Sequence, residues 1–268
     1  MARAGSPGAG KSTLTNALIT HLRSRGEEVA VLAIDPSSPF TGGAILGDRV
    51  RMHDHTTDPE VFIRSMATRG QLGGLSRATP QAIRVLAAAG YRWVLVETVG
   101  VGQVEVAVAR AADTTVVVVT PGWGDGVQAA KAGLLEIGDV FVVNKADREG
   151  VLGTVRDLEG ILDLGGERQW RPSVVETVAT EDRGIDAVLD AVERHRGALE
   201  ASGALVDRRE RRIADEVRAL VLDQLIKRAD DFSSGDRFAT VVREVADGLS
   251  DPYTAATLLL EGDDEGGS

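Results

Sequence analysis

Residues 5–12 of this 268-residue chain are the group whose types and spacing most directly imply chemistry, because Gly-Ser-Pro-Gly-Ala-Gly-Lys-Ser fits the phosphate-binding pattern G-x-x-x-x-G-K-[ST]. The glycines permit a tight turn whose backbone N–H groups point towards an anion, and the ammonium group of Lys11 can neutralise the outer phosphates during catalysis. The hydroxyl of Ser12 can ligate Mg²⁺. The pattern therefore predicts a nucleoside triphosphate site. We expect the nucleotide to be bound by six consecutive residues: Gly8, Ala9, Gly10, Lys11, Ser12 and Thr13.

A second group, Asn144-Lys145-Ala146-Asp147, follows a predicted buried strand and favours guanine as the base. The carboxylate of Asp147 can accept hydrogen bonds from both N1–H and the 2-amino group of guanine, which adenine does not offer in that arrangement. Asn144 can hydrogen-bond the base edge and the neighbouring loop, and the aliphatic part of Lys145 can cover the base plane. The backbone N–H of Ala179 is a candidate donor to the guanine carbonyl oxygen. GTP and GDP are therefore the predicted substrate and product.

Residues 97–100, Glu-Thr-Val-Gly, lie where a magnesium-binding acid and a glycine that senses the γ-phosphate are expected. The Glu97 carboxylate can hold Mg²⁺ or one of its waters, and the Gly100 amide can approach the terminal phosphate. The alternative is a strand-end glutamate that faces solvent. Asp35 and Asp48 flank a long loop and are further candidate magnesium ligands. No side chain is placed like a general base, so we expect slow turnover that depends on positioning and charge neutralisation.

Alternating strands and helices must position these groups. Continuous apolar runs predict strands buried on both faces at 29–34, 93–96, 115–119 and 140–143, with further strands near 61–70 and 173–177. Helical patterns fall between them, at 12–25, 79–90, 128–137, 151–164 and 184–195. The fold class is therefore α/β, a doubly wound, mostly parallel sheet of the P-loop NTPase type.

The strand that should precede the phosphate loop is short in this sequence. Only Met1-Ala2-Arg3-Ala4 are available, which span about 13 Å. An arginine at position 3 suits the centre of a parallel sheet poorly. One interpretation is that an N-terminal segment has been lost or that the start was assigned late. Another hypothesis is a catalytically inactive interaction module.

The chain is expected to divide into a nucleotide-binding domain over 1–198 and a helical arm over 199–268. An apolar stripe in the arm indicates an amphipathic helix, and it consists of Ile213, Val217, Leu220, Val221 and Leu225. This stripe either packs on the sheet domain or forms a subunit interface, and the residues alone leave both open. A final helix is predicted over 237–249, and a disordered acidic tail begins at 261.

Composition excludes several classes of function. The 30 basic and 41 acidic residues give a net charge of −11, which disfavours nucleic acid or an anionic membrane as the main partner. No run approaches the roughly 18 apolar residues of a membrane span. The absence of cysteine excludes disulfides and fits a reducing cytoplasm. His53 and His55 could belong to a metal site, but no third ligand is evident and a solvated turn is the alternative.

Seven segments together resemble the methylmalonyl-CoA mutase-associated GTPases of the MeaB/ArgK family, which are relatives of the metallochaperone GTPases for urease and hydrogenase. The segments are GSPGAGKST (5–13), DPSSPFTGGAILGDRVRM (35–52), FIRSMATRGQLGGLS (62–76), ETVGVGQ (97–103), PGWGDGVQAAKAG (121–133), NKAD (144–147) and DPYTAA (251–256). They span nearly the whole chain, and the stretch 62–76 is highly specific for the family.

The resemblance implies a Mg²⁺-dependent GTPase that chaperones adenosylcobalamin-dependent methylmalonyl-CoA mutase, gates the loading of its cofactor and protects it. It also implies a homodimer joined through the C-terminal arm. It assigns Asp35, Asp48 and Glu97 to the magnesium site. Gln128 and Lys131 match a mobile switch segment that couples the nucleotide state to the mutase, and an exposed helix start is the alternative for these two residues.

The sequence departs from the family pattern at three places. An N-terminal helical extension and a full first strand are missing, Gly126 stands where an acidic residue is usual, and Gln71 stands where histidine is common. We expect the first departure to affect folding and partner docking, and the other two to affect only coupling strength. Two other functions remain as alternatives: a metal-delivery GTPase, which four histidines and no cysteine disfavour, and a kinase of an amino-acid transport system.

Overall fold

The structure of the chain is a computed structural model, and it describes residues 1–5, 8–35, 55–67, 78–98, 108–123, 133, 135–164, 169–233 and 235–261. The strands occur in the order that the apolar runs of the sequence predict. They are β1 (Ala2–Gly5), β2 (Val29–Asp35), β3 (Val61–Ala67), β4 (Trp93–Thr98), β5 (Thr115–Val119), β6 (Val140–Asn144) and β7 (Ser173–Thr177). The helices are α1 (Lys11–Ser24), α2 (Ala78–Ala88), α3 (Val151–Leu164), α4 (Ile185–Ser202), α5 (Ala204–Ser233), α6 (Asp236–Ala246) and α7 (Pro252–Glu261). The helix predicted over 128–137 lies mostly outside the described residues.

These strands form one sheet in the order β3-β2-β4-β1-β5-β6-β7. Every neighbouring pair is parallel. Strands β2 to β4 lie on one side of β1 and β5 to β7 on the other, so the direction of winding reverses at β1. Open α/β sheets bind ligands outside the carboxyl ends of their strands at such a reversal. The phosphate loop leaves the sheet at this point.

Helices cover both faces of the sheet because alternate strand residues are apolar on both sides. On one face, α1 and α4 pack on the sheet through residues that include Leu14, Leu18, Ile185 and Leu189. On the other face, α2 packs through Leu86 and α3 through Leu158 and Leu162. The predicted doubly wound α/β fold is therefore confirmed, and α1 runs from the phosphate loop over the central strands.

Strand β1 occupies the centre of the sheet although it has only four residues. Ala2 and Ala4 pack on the face that carries α2 and α3. Arg3 points to the opposite face, where it pairs in register with Glu97 of β4 and Val116 of β5. The structure thus places Arg3 at the centre of the sheet, although a buried arginine suits this position poorly. The side chain is fully buried, and the nearby carboxylate of Glu97, 3.4 Å away, offsets part of the desolvation of its charge.

The chain divides into two compact units, Met1–Arg209 and Glu210–Ser268. Helix α5 begins in the first unit and continues into the second, so the expected boundary at residue 198 stays a prediction. The apolar stripe predicted on this helix is present, and each of its five side chains is between 40% and 54% exposed. Among the described residues, no helix combines the length and apolar character that a membrane crossing requires.

Helices α6 and α7 of the second unit contact each other, and Arg237 donates a hydrogen bond to the carbonyl of Leu258 at 2.7 Å. The predicted final helix over 237–249 corresponds to α6. Helix α7 is a feature that the sequence analysis missed, although it has a recognisable start. Asp251 accepts hydrogen bonds from the backbone of Tyr253 and Thr254, and Pro252 occupies the first helical position.

Candidate nucleotide-binding site

The predicted phosphate loop connects β1 to α1, and its glycines adopt backbone conformations that other residues avoid. Gly8 and Gly10 have φ angles of +75° and +86°, in the left-handed region. A side chain at Gly10 would also collide with the amide of Asn144. The buried ammonium group of Lys11 donates a hydrogen bond to the carbonyl of Gly5 at 2.5 Å. The loop is therefore closed on itself by Lys11 and requires glycine at its tightest contact.

Glu97 lies near the carboxyl end of β4 and faces the first turn of α1. Its side chain is 1% exposed, so the alternative of a solvent-facing glutamate is wrong. The Ser12 hydroxyl donates a hydrogen bond to Oε1 of Glu97 at 2.7 Å, and the Thr15 hydroxyl lies 2.9 Å from Oε2. Carboxylate and hydroxyl oxygens are the hard ligands that Mg²⁺ prefers. The oxygens of Ser12 and Glu97, at the start of a phosphate-loop helix, therefore fit a magnesium ion.

The predicted guanine motif contacts the phosphate loop directly, although 135 residues separate them. The amide nitrogen of Asn144 donates to the carbonyl of Ala9 at 2.9 Å, and Nζ of Lys145 donates to the carbonyl of Gly8 at 2.7 Å. Lys145 itself has a φ angle of +62°. The contact of Asn144 with the neighbouring loop, expected from the sequence, is therefore present in this structure.

The other side of Asn144 is held by the segment that follows β7. Its Oδ1 accepts hydrogen bonds from the Thr177 hydroxyl at 3.0 Å and from the Ala179 N–H at 3.2 Å. The predicted donation from Ala179 to a guanine oxygen stays a prediction, because this N–H already serves Asn144. Asp147 lies in the turn after β6 with an exposed side chain. Its carboxylate therefore lacks the burial that fixes Asn144.

Several predicted site residues lie outside the described residues: Gly100, Asp48, Gln128 and Lys131, as do Gln71, Gly126 and His53. Asp35 is the last residue of β2 and pairs in register with Ala67 of β3, but its side chain is not described. Of the remaining candidates, Thr13 is exposed in the first turn of α1. The structure thus brings together the phosphate loop, Glu97 and the guanine motif at one edge of the sheet.

The sequence analysis did not predict the contacts that three residues make at this edge: Arg3, Thr15 and Thr177. Thr15 follows Lys11 by one helical turn and so lies on the same side of α1. This spacing could have indicated its proximity to Glu97. The role of Arg3 was not visible from its spacing, because its partner comes from a strand that is 94 residues away in sequence.

His55 contacts α1: its Nε2 lies 3.3 Å from both the Thr20 hydroxyl and the Asn16 carbonyl. Within the described ranges, no group of three or more His, Asp or Glu residues is arranged to hold a metal ion. The position of His55 is therefore explained by its contact with the helix.

A second buried polar cluster lies at the opposite, amino edge of the sheet. The carboxylate of Asp139 accepts hydrogen bonds from the Thr115 N–H at 2.8 Å and from Arg208 at 3.1 Å. Nε2 of His195 lies 3.3 Å from the same carboxylate, and its Nδ1 lies 2.9 Å from the Thr114 hydroxyl. Burial lowers the pKa of His195 more than Asp139 raises it. We therefore expect a neutral imidazole at pH 7 beside Asp139.

Comparison with known proteins gives consistent matches over most of the chain. The family model for the methylmalonyl Co-A mutase-associated GTPase MeaB matches residues 2–233. A Pyrococcus abyssi protein is 51% identical over 261 residues, which is 96% of this chain and 81% of the relative. GTPase ArgK of Escherichia coli is 40% identical over 227 residues, or 83% of this chain and 69% of ArgK. The crystal structure of a LAO/AO transport system kinase is similar with a TM-score of 0.69 at 29% identity, covering 97% of this chain and 80% of that one.

Proposed function

The chain belongs to the MeaB family of methylmalonyl Co-A mutase-associated GTPases, and on this premise we propose that it hydrolyses GTP with Mg²⁺ as a switch that chaperones methylmalonyl-CoA mutase. The observation that carries the proposal is the contact between the two motifs: Asn144 and Lys145 donate to the carbonyls of Ala9 and Gly8. A base bound beside Asp147 would therefore lie next to the loop that binds its phosphates.

The phosphate end of the site is assigned from its charges and donors. Backbone N–H groups from Gly8 to Thr13 and the start of α1 bind the phosphates. Lys11 can exchange its bond to the Gly5 carbonyl for a phosphate oxygen, which places a cation where negative charge develops. Mg²⁺, when bound, supplies further positive charge to the β- and γ-phosphates. Ser12 and Glu97 would hold this ion.

Further residues complete the assignment. We assign Asp35 and Asp48 to the magnesium shell, directly or through water, and the amide of Gly100 to the terminal phosphate. The loops 35–52 and 97–103 order around GTP and relax after hydrolysis. Gln128 and Lys131 pass this change to the mutase.

The mutase partner is supported by the family description, and dimerisation by the second unit. Helix α5 carries an apolar stripe from Ile213 to Leu225 whose side chains are about half exposed. An amphipathic helix of this kind needs a surface to cover its apolar side. A second copy of the chain, joined through residues 199–268, provides one.

The GTPase assignment is tested by measuring phosphate release with GTP and with ATP, each with and without Mg²⁺. We expect hydrolysis of GTP that requires Mg²⁺ and much poorer hydrolysis of ATP. Equal rates with the two nucleotides would contradict the role of Asp147. Equal rates with and without the ion would contradict the assignment of Ser12 and Glu97.

The partner is tested separately, by co-purification with methylmalonyl-CoA mutase in the presence of GTP or GDP. We expect a complex whose yield depends on the nucleotide. Gln128→Ala serves as the coupling variant, since it should reduce this dependence while GTP hydrolysis by the isolated chain persists. Failure to bind the mutase with either nucleotide would remove the chaperone role and leave the GTPase activity.

A further inference from the structure

Arg3 is a buried cation beside the proposed magnesium site, and the proposed function gives it no role. It lies in the central strand, and β4 places Glu97 directly opposite it in register. Nη2 of Arg3 is 3.4 Å from Oε2 of Glu97, and Nη1 donates to the carbonyl of Lys11 at 3.4 Å. The guanidinium group therefore touches both the acid and the first residue of α1.

The fold does not require a charged pair at this position, although Glu97 needs a partner once it is buried there. Burying a charged pair costs desolvation that the mutual attraction only partly returns, and well-packed apolar residues often replace such pairs without loss. The start of α1 already carries the positive end of the helix dipole. A further positive charge 3.4 Å from the Lys11 carbonyl adds to the positive potential there.

The two oxygens of Glu97 have different surroundings. Oε2 contacts Arg3 at 3.4 Å and the Thr15 hydroxyl at 2.9 Å. Oε1 accepts a hydrogen bond from the Ser12 hydroxyl, which is itself a proposed magnesium ligand. Arg3 thus neutralises the carboxylate from the side that faces away from Ser12. A divalent cation approaching Ser12 and Glu97 would meet a carboxylate that already has a cationic partner.

We propose that Arg3 is an internal counter-cation for Glu97: it stabilises the chain when no divalent cation is bound, and it weakens Mg²⁺ binding through repulsion. It is a positioning residue that acts through Glu97. The inference rests on the proposed function, because that function places Mg²⁺ at Ser12 and Glu97.

The test compares Arg3→Met with Arg3→Lys, which keeps the charge, and with Thr15→Val, which removes an uncharged contact to the same oxygen. The first measurement is the Tm of each variant in EDTA without nucleotide. The second is the Mg²⁺ concentration that gives half-maximal retention of a fluorescent GDP analogue. Neither depends on catalytic turnover.

For Arg3→Met we expect a lower Tm in EDTA together with a half-maximal Mg²⁺ concentration that is about tenfold lower than in the unmodified chain. Arg3→Lys should resemble the unmodified chain in its Mg²⁺ requirement. Thr15→Val should not shift this requirement to lower concentrations, because no charge is removed. Arg3→Gln is measured in the same way if Arg3→Met does not fold.

An unchanged or higher Mg²⁺ requirement in Arg3→Met or Arg3→Gln would overturn the counter-cation role. A Tm of either variant in EDTA that equals or exceeds that of the unmodified chain would overturn it as well. Failure of the proposed function looks different. The unmodified chain would then not retain the GDP analogue at any Mg²⁺ concentration, whereas failure of this inference leaves retention in the unmodified chain intact.

Discussion

The two edges of the sheet each hold a buried acid beside an arginine, but they surround it differently. At the amino edge, both oxygens of Asp139 are occupied, by the Thr115 N–H and by Arg208. At the carboxyl edge, Oε1 of Glu97 accepts a hydrogen bond from the Ser12 hydroxyl, which can rotate away. The backbone N–H in the first case is fixed by the strand, whereas the hydroxyl in the second is exchangeable.

This difference separates a structural acid from one that can serve a ligand. An acid that is saturated by backbone and arginine donors adds to stability, and removing it leaves buried partners unsatisfied. An acid whose partner is a mobile hydroxyl at a helix start keeps a coordination position available. We therefore expect substitutions at the carboxyl edge to change nucleotide chemistry, and those at the amino edge to change stability alone.

The largest effect is expected for Lys11→Ala, which should lower the rate of GTP hydrolysis by about a thousandfold because it removes a preorganised cation from the phosphates. Phosphate release at saturating GTP measures the rate. Lys227→Ala is the matched control, since this exposed lysine of the second unit forms an ion pair with Asp223. A similar loss of rate in the control would show that the effect of Lys11→Ala is not specific to the carboxyl edge.

Asp147→Asn should reduce the affinity for GTP by about a hundredfold or more, because a site built for hydrogen bonds discriminates strongly when one set is lost. The same variant should gain affinity for xanthosine triphosphate, whose additional carbonyl can accept from the new amide. Competition binding with both nucleotides measures this change in preference from GTP to xanthosine triphosphate. Loss of GTP binding without this gain would indicate a structural effect.

Asp139→Ala is expected to lower the free energy of unfolding by about 3 kcal/mol, because it leaves the buried Thr115 N–H without its acceptor and removes the carboxylate partner of Arg208. Denaturant unfolding provides the measurement, and the hydrolysis rate per folded molecule should not change. Asp163→Ala, at an exposed pair with Arg171, should have no measurable effect on stability. A rate defect in folded Asp139→Ala would show that the two edges are coupled.

The smallest effect concerns pH. Burial lowers the pKa of His195 in the folded chain below its ordinary value of 6.5, so the unfolded chain binds more protons as the pH falls through that value. The free energy of unfolding should therefore decrease below about pH 6.5, by at most about 1.4 kcal/mol per pH unit. His195→Gln should remove this slope. Equal slopes in both proteins would assign the dependence to another group.

Most of the sheet could be predicted because its strands are continuous apolar runs that have no helical period, as in β5 and β6. The phosphate loop was also predictable from local sequence, since its glycines adopt positive φ angles and its lysine bonds within the loop. Asn144 was predicted to reach a neighbouring loop, and the structure identifies that loop as the phosphate loop.

Contacts between distant residues could not be predicted from local pattern. The burial of Arg3 depends on the register between β1 and β4, which a sequence does not display. Helix α7 was not predicted, because its start is indicated by the capping residue Asp251 before a proline and not by apolar periodicity. The roles predicted for Asp48, Gln128 and Lys131 fall outside the described residues and stay predictions.

The central position of β1 also has a consequence for synthesis on the ribosome. Its neighbours in the sheet come from positions 96–97 and 115–118, so β1 cannot pair on both sides until residues 115–118 have also been made. Long-range parallel pairing of this kind forms late, because loop closure must precede it. Nascent chains stalled before β5 should therefore fail to retain GDP, whereas chains released after β7 should bind it.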